Sequence, residues 1–351
     1  MSIRADIRSL FILRESPVRW PVALQAAIAI GIPTVGCAIA GRADLGLLAS
    51  SGAFTAIYLA SRSRRERAAV LPLFALGLVA SSALGVLGSG SMLASLVVLF
   101  VVAAVSTALL LGYAVGPPGS IFFVLVAGVS AHLAGPTELG AAGLDGRLVI
   151  GMLAIGAVIA YLVVLAPLVV PSVRRADAAL HQQGRLARFS LGPIDRVILT
   201  RVVIGAAIAT IIAAPLGVHR AYWVVVAVVV ILQNGHRIRL TALRAAHRVL
   251  GTLVGVGLFA LVMLVNPAGV WLALLLMALQ FMVEVVVIRN YGLALVFITP
   301  LALVIAAQGN VADVGATIVE RIVDTVIGAV IAVVILAVAF LLRRRAGTIG
   351  E

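Results

Sequence analysis

Two stretches of the chain repeat one spacing of polar residues inside apolar sequence. Arg248-Val249-Leu250-Gly251-Thr252-Leu253-Val254-Gly255 and Arg321-Ile322-Val323-Asp324-Thr325-Val326-Ile327-Gly328 both read Arg-x-x-[Gly/Asp]-Thr-x-x-Gly. On a helix these positions fall on one face. Each stripe carries a guanidinium near its start, a hydroxyl one turn on, and small residues for the rest. Two readings follow. Arg248 and Arg321 attract an anion while Thr252 and Thr325 line its path. Alternatively, the small residues form a helix-packing seam, the Thr hydroxyl bonds across it, and the Arg reaches back to the boundary. The two are compatible.

Other polar groups in apolar runs are costly and are functional candidates for that reason. Glu284 lies about one turn from the end of its run, and Arg289 follows about 140° further round the helix. Glu284 therefore needs a partner on another helix, a proton, or water; it is the first candidate for proton coupling. Asp324 is the second, either as a site near the outer face or as an ordinary helix pair with Arg321. Arg289 joins the pathway candidates. His132 is either a hydrogen-bonded interfacial residue or a proton relay. His236 and His247 flank a basic stretch, 236–248, read as a solvated loop. Gln233, Asn234, Gln280, Asn290 and Gln308 are either carboxylate ligands or helix caps. Pro33 interrupts the first apolar run, Pro117-Pro118-Gly119 opens the fifth, and Pro300 with Thr299 sits midway along the eleventh. A proline inside a helix frees a carbonyl, and irregular backbone at depth lines a cavity or is packed in protein. The fifth and eleventh runs are therefore pathway candidates, with a packed kink as the alternative.

These residues sit in a chain of 351 residues that is 63% hydrophobic and only 11% charged. Its mean hydropathy is +1.22. A soluble fold of this size lacks the polar surface it would need, so the chain reads as an integral membrane protein. All 26 basic residues are Arg, and the absence of Lys excludes a phosphate-binding P-loop. The single cysteine, Cys37, excludes an internal disulfide and a cysteine metal site. Neither His-Glu-x-x-His nor Gly-x-Ser-x-Gly occurs, so nothing supports a hydrolase; the chain reads as a non-enzyme without a cofactor. The formal charge of +13 reflects Arg gathered in loops on one side of a membrane rather than affinity for nucleic acid.

Apolar runs cover 20–40, 44–61, 69–88, 92–112, 118–134, 147–170, 197–214, 219–235, 249–265, 269–288, 291–308 and 319–342. The expected fold is all-α and polytopic, with twelve transmembrane helices in two parallel six-helix repeats. A first repeat occupies 1–170, a basic linker 171–196, and a second repeat 197–351. With the N-terminus inside, 22 of the 26 Arg fall on the cytoplasmic side, as the positive-inside rule requires. Both termini and the linker are then cytoplasmic. Ile155–Ala160 recurs as Ile327–Ala332, and Ala26–Ala29 resembles Ala206–Ala209, at offsets of 172 and 180 residues. Substrate sites in such repeat proteins lie near the midplane between the halves.

Both octapeptides and the six-helix, basic-linker, six-helix plan resemble the fusaric acid resistance protein family. That family includes the aromatic carboxylic acid exporters and is distantly similar to the aluminium-activated malate transporters of plants. The resemblance is best over about 200–340. It implies a multi-pass transporter in the inner (plasma) membrane that exports aromatic or other organic carboxylate anions. The implied partners are that anion, membrane lipids, and either further copies of the chain or an accessory export subunit. An anion channel, and a scaffold whose basic face binds lipid or a partner, remain alternatives.

Overall fold

The computed structural model describes residues 12–17, 19–180, 186–233, 238–308 and 313–345. Arg4, Arg8, Arg185, Asn234, His236 and Arg237 lie outside the described residues, as do the side chains of Arg343, Arg344 and Arg345. Among the described residues the fold is all-helical, with thirteen α-helices and no strand. The first six are α1 (Trp20–Ile39), α2 (Ala43–Ser50, continued as a 3₁₀ turn to Ile57), α3 (Arg64–Gly88), α4 (Met92–Gly112), α5 (Ile121–Ala134) and α6 (Gly146–Leu165). The linker holds α7 (Pro171–Ala179). Then follow α8 (Pro193–Ala213), α9 (Val218–Leu232), α10 (Ile238–Val265), α11 (Gly269–Val286), α12 (Tyr291–Ala306) and α13 (Val314–Arg345).

Local chemistry sets the helix starts. Ser63 accepts from the Glu66 amide at 3.2 Å, and the Glu66 carboxylate accepts from the Ser63 amide at 3.3 Å, closing a capping box on α3. Pro193 begins α8 at a position where its missing N–H costs nothing. Asn290 caps α12 by accepting from the Leu293 amide at 3.0 Å. The linker helix is tied down in the same way. Asp177 of α7 is buried and accepts from the Arg64 and Arg65 amides at 2.7 and 3.2 Å, so its carboxylate caps the positive end of α3.

Eight of the twelve apolar runs become helices long and apolar enough to cross a membrane. The other four, Ala43–Ile57, Ile121–Ala134, Arg220–Leu232 and Tyr291–Ala306, are shorter. At 1.5 Å per residue, the 14 residues of α5 reach only about 21 Å, less than the ~30 Å hydrocarbon core. Twelve spans were expected, with 118–134, 219–235 and 249–265 at the lower limit of length; among the described residues there are eight long helices and four short ones. One boundary moves the other way. The stretch 236–248 was expected to be a solvated loop, but α10 is already helical from Ile238 and runs 28 residues to Val265. Its Leu, Ala and Arg residues are good helix formers, and Arg244 and Arg248, one turn apart, share a face.

Glycines let the helices meet backbone to backbone. A Cβ on Gly156 of α6 would strike the Ala49 carbonyl of α2, and one on Gly52 of α2 would strike α6. Gly328 of α13 lies against the Val224 carbonyl of α9. Gly85 of α3 abuts the Ala127 carbonyl of α5, while Gly251 and Gly255 of α10 abut the Gly292 and Leu295 carbonyls of α12. The helix pairs α2·α6 and α9·α13, α3·α5 and α10·α12, and α4·α8 and α11·α1 are all in extensive contact. The four short helices end up in the interior. In α9 every residue from Ala221 to Leu232 is buried.

Candidate functional site

The short helices converge on one cavity of about 610 Å³. The end of α2, the start of α5, and α9 and α12 along much of their length line it. Leu59, with φ of +55°, turns the chain after α2, and Gly119, with φ of +70°, turns it into α5. Tyr58 locks these turns together by donating to the Gly119 carbonyl at 2.8 Å. Gln233, at the end of α9, accepts from the amide and hydroxyl of Ser120, both at 3.0 Å, and donates to the Pro118 carbonyl at 3.2 Å. Three short helices thus meet at a hydrogen-bonded knot beside the cavity.

The walls combine two chemistries. Phe54, Phe122, Trp223 and Tyr291 bring aromatic faces, and α5 and α12 add Val, Leu and Ile. The charged lining is five Arg (19, 62, 244, 248 and 321) against one carboxylate, Glu284. A cleft in which one sign predominates, with low-dielectric walls, focuses its field and concentrates counter-ions.

The two repeated Arg are the deepest of these. Each is only 2% exposed. Arg248 donates to the Tyr291 hydroxyl at 3.1 Å, and its Nε has no partner. Arg321 lies over the Trp223 ring, its Cζ 3.7 Å from the centroid, and its Nε and Nη1 have no partner. Among the described residues neither Arg has a carboxylate within ion-pair distance. Arg67 of α3 is equally buried but spends its guanidinium on the Ala56 carbonyl and the Gln25 side chain, away from the cavity.

Glu284 finds its partner across helices. Its Oε2 accepts from Arg19 Nη2, just ahead of α1, at 3.3 Å. Its Oε1 accepts from Gln280 one turn back at 3.2 Å. Asp324 was expected either as a helix pair with Arg321 or as a site of its own. Its partner is not Arg321, which turns onto Trp223, but Arg220 of α9, from which it accepts twice, at 2.8 and 3.1 Å. Asp324 does not line the cavity.

Thr252 and Thr325 are buried, have no hydrogen-bond partner, and do not line the cavity. The motif face splits: the Arg extends to the cavity while Gly251, Gly255 and Gly328 press on neighbouring helices. α5 and α12 both line the cavity, but Thr299 and Pro300 do not. Thr299 packs against Gly255 and donates to its own Leu295 carbonyl at 2.8 Å, so the proline bend is packed in protein. Arg289 lies outside the cavity, donating to Ser16 at 3.1 Å. Asn290 is a cap, Gln308 donates to the Ile305 carbonyl of its own helix end, and His132 lies beside Tyr222 with ring centroids 6.5 Å apart. Sequence reasoning missed Arg19 and Arg244, taken as loop charges, and the aromatic lining. The four-residue spacing of Arg244 and Arg248 was the available signal.

Such a fold and site define a multi-pass helical membrane protein with a basic internal cavity. Residues 204–335 match the sequence model of the fusaric acid resistance protein-like family, as the resemblance expected. A membrane protein of Bacillus subtilis (strain 168), "Uncharacterized membrane protein YvaC", is 33% identical over 141 residues. The match covers 40% of this chain and 22% of that protein, so it spans about a fifth of the relative's length. No solved structure matches.

Proposed function

We propose that the protein is a plasma-membrane transporter that exports an organic carboxylate with an apolar, ring-bearing body. The observation that carries this reading is the pair Arg248 and Arg321: buried, facing one cavity, and without carboxylate partners. A guanidinium at that depth is expensive unless an anion shares the site. The carboxylate meets the guanidiniums and the rings of Phe54, Phe122 and Trp223 take the apolar body. The family match over 204–335 supports the same class.

The halves form two parallel repeats, α1–α6 and α8–α13. The corresponding helix contacts, and the short helices in second and fifth place of each half, support this. Glycines of the repeated Ile-Gly-Ala-Val-Ile-Ala segment press on the second helix of each half in the same way. Discontinuous or short helices at corresponding repeat positions point to the substrate site. Each half enters from the cytoplasm, with both termini inside.

Glu284 couples transport to protons. As the one carboxylate among the described lining residues, it holds Arg19; a proton on it releases that guanidinium to the substrate. A scaffold has no use for a cavity of this size between the halves. The test is flux of an aromatic carboxylate into proteoliposomes, with and without an imposed pH gradient. Absence of flux under both conditions rejects the transporter.

A further inference from the structure

A second pocket, of about 180 Å³, lies beside the cavity, where the segment 12–17 folds over the first turns of α10 and the α11–α12 junction. Its polar lining is three guanidiniums, Arg14, Arg244 and Arg289, with the His247 imidazole, the Asn290 amide and the Tyr291 phenol. Among the described residues no carboxylate lines it. Like charges do not gather around a void without a cost, and among the described lining residues no anion offsets it.

The pocket is built, not left over. The Arg14 amide donates to the Arg289 carbonyl at 3.1 Å, Arg289 Nε donates to Ser16 at 3.1 Å, and Asn290 Nδ2 donates to the Ile12 carbonyl at 3.4 Å. These bonds hold the Arg289 guanidinium and the backbone of Arg14 at one rim. Arg244 forms the other, and its buried Nε has no hydrogen-bond partner.

We propose that this pocket binds a phosphate-bearing anion, at a site separate from the transport cavity. It is smaller than the ~300 Å³ at which sites for drug-sized ligands begin, and so suits one compact group. A single carboxylate neutralises one of the guanidiniums; a phosphate offers more charge and several oxygens, which Arg forks engage in pairs. Basic pockets between membrane helices take lipid headgroups by the same chemistry. The site also touches the transport machinery. Arg244 and Tyr291 line both spaces, Arg244 sits 4.1 Å over the Tyr291 ring, and the Tyr291 hydroxyl holds Arg248 at 3.1 Å. An anion here draws Arg244 toward the small pocket and lowers the positive charge facing the cavity.

The proposal goes beyond the transport reading, and its test measures no flux. Delipidated protein in detergent is titrated with inorganic phosphate at constant ionic strength and, in a second arm, with phosphatidylglycerol. Binding is read by thermal unfolding and native mass spectrometry. Saturable binding of at least one probe is expected, weakened at least about tenfold in Arg14→Gln/Arg289→Gln and unchanged in Arg42→Gln. Saturation by phosphate alone assigns a soluble ligand, by the lipid alone a headgroup, and by both the shared chemistry. Arg14 is exposed, so Arg14→Gln alone, expected to weaken binding at least about threefold, keeps the test open if the double variant fails to fold. No saturable binding of either probe overturns the proposal. So does binding that the pocket variants leave unchanged, or that Arg42→Gln weakens equally.

Discussion

Arg321 of α13 stacks on Trp223 of α9 with its Cζ 3.7 Å from the ring centroid, in a place where no carboxylate among the described residues pairs with it. The ring supplies part of the stabilisation that water or an ion pair would otherwise give. The edge of the guanidinium, with Nε and Nη1 unpartnered, is left available. This arrangement holds a positive charge ready for an anion without neutralising it first.

Arg248→Gln and Arg321→Gln should each lower carboxylate flux at least about tenfold. A hydrogen bond to a charged group is worth about 1.5–3 kcal/mol, and 1.4 kcal/mol is tenfold. Thermal unfolding in detergent separates this from a packing role, under which stability falls together with flux. Unchanged flux in both variants removes the pair from the mechanism.

Glu284→Gln keeps the shape of the side chain and fixes it neutral. The variant should lose transport driven by a pH gradient while retaining passive exchange down the substrate gradient. Gradient-driven transport at the unmodified level would show that coupling lies elsewhere, and Asp324 would be examined next through Asp324→Asn.

Gly156→Leu and Gly328→Leu should destabilise the protein by about 3 kcal/mol or more, because the new side chains collide with backbone of α2 and α9. Gly151→Ala, on the same helix as Gly156 but with open space around it, should be neutral or stabilising by up to about 1 kcal/mol. Unfolding midpoints of the three variants measure the difference. Equal midpoints would contradict the close helix contacts.

Topology is read by labelling. In a Cys37→Ala background, Arg239→Cys should be reached by an impermeant thiol reagent only from the cytoplasmic side, and Glu138→Cys only from outside. Labelling of position 239 from outside overturns the orientation.

The sequence by itself determined that this is a helical membrane protein, where its apolar runs lie, and that the Arg motif recurs. Those properties are local: composition decides the solvent, run length decides the helix, and a four-residue spacing decides the face. The glycines at 156 and 328 were legible as a repeat for the same reason, since close contact needs a residue type that sequence displays. Partner choice was not legible. Arg321 and Asp324 are three residues apart and read as a pair, yet Arg321 lies on Trp223 and Asp324 binds Arg220, residues about 100 positions away. Glu284 pairs with Arg19 across 265 positions. Thr252 and Thr299 read as pathway residues, yet α10 and α12 press that face together and leave the cavity to Arg248, Tyr291 and the aromatic walls. Helical periodicity says which residues share a stripe. Only the packing of the short helices against the long ones decides which stripe meets protein, and which meets the cavity.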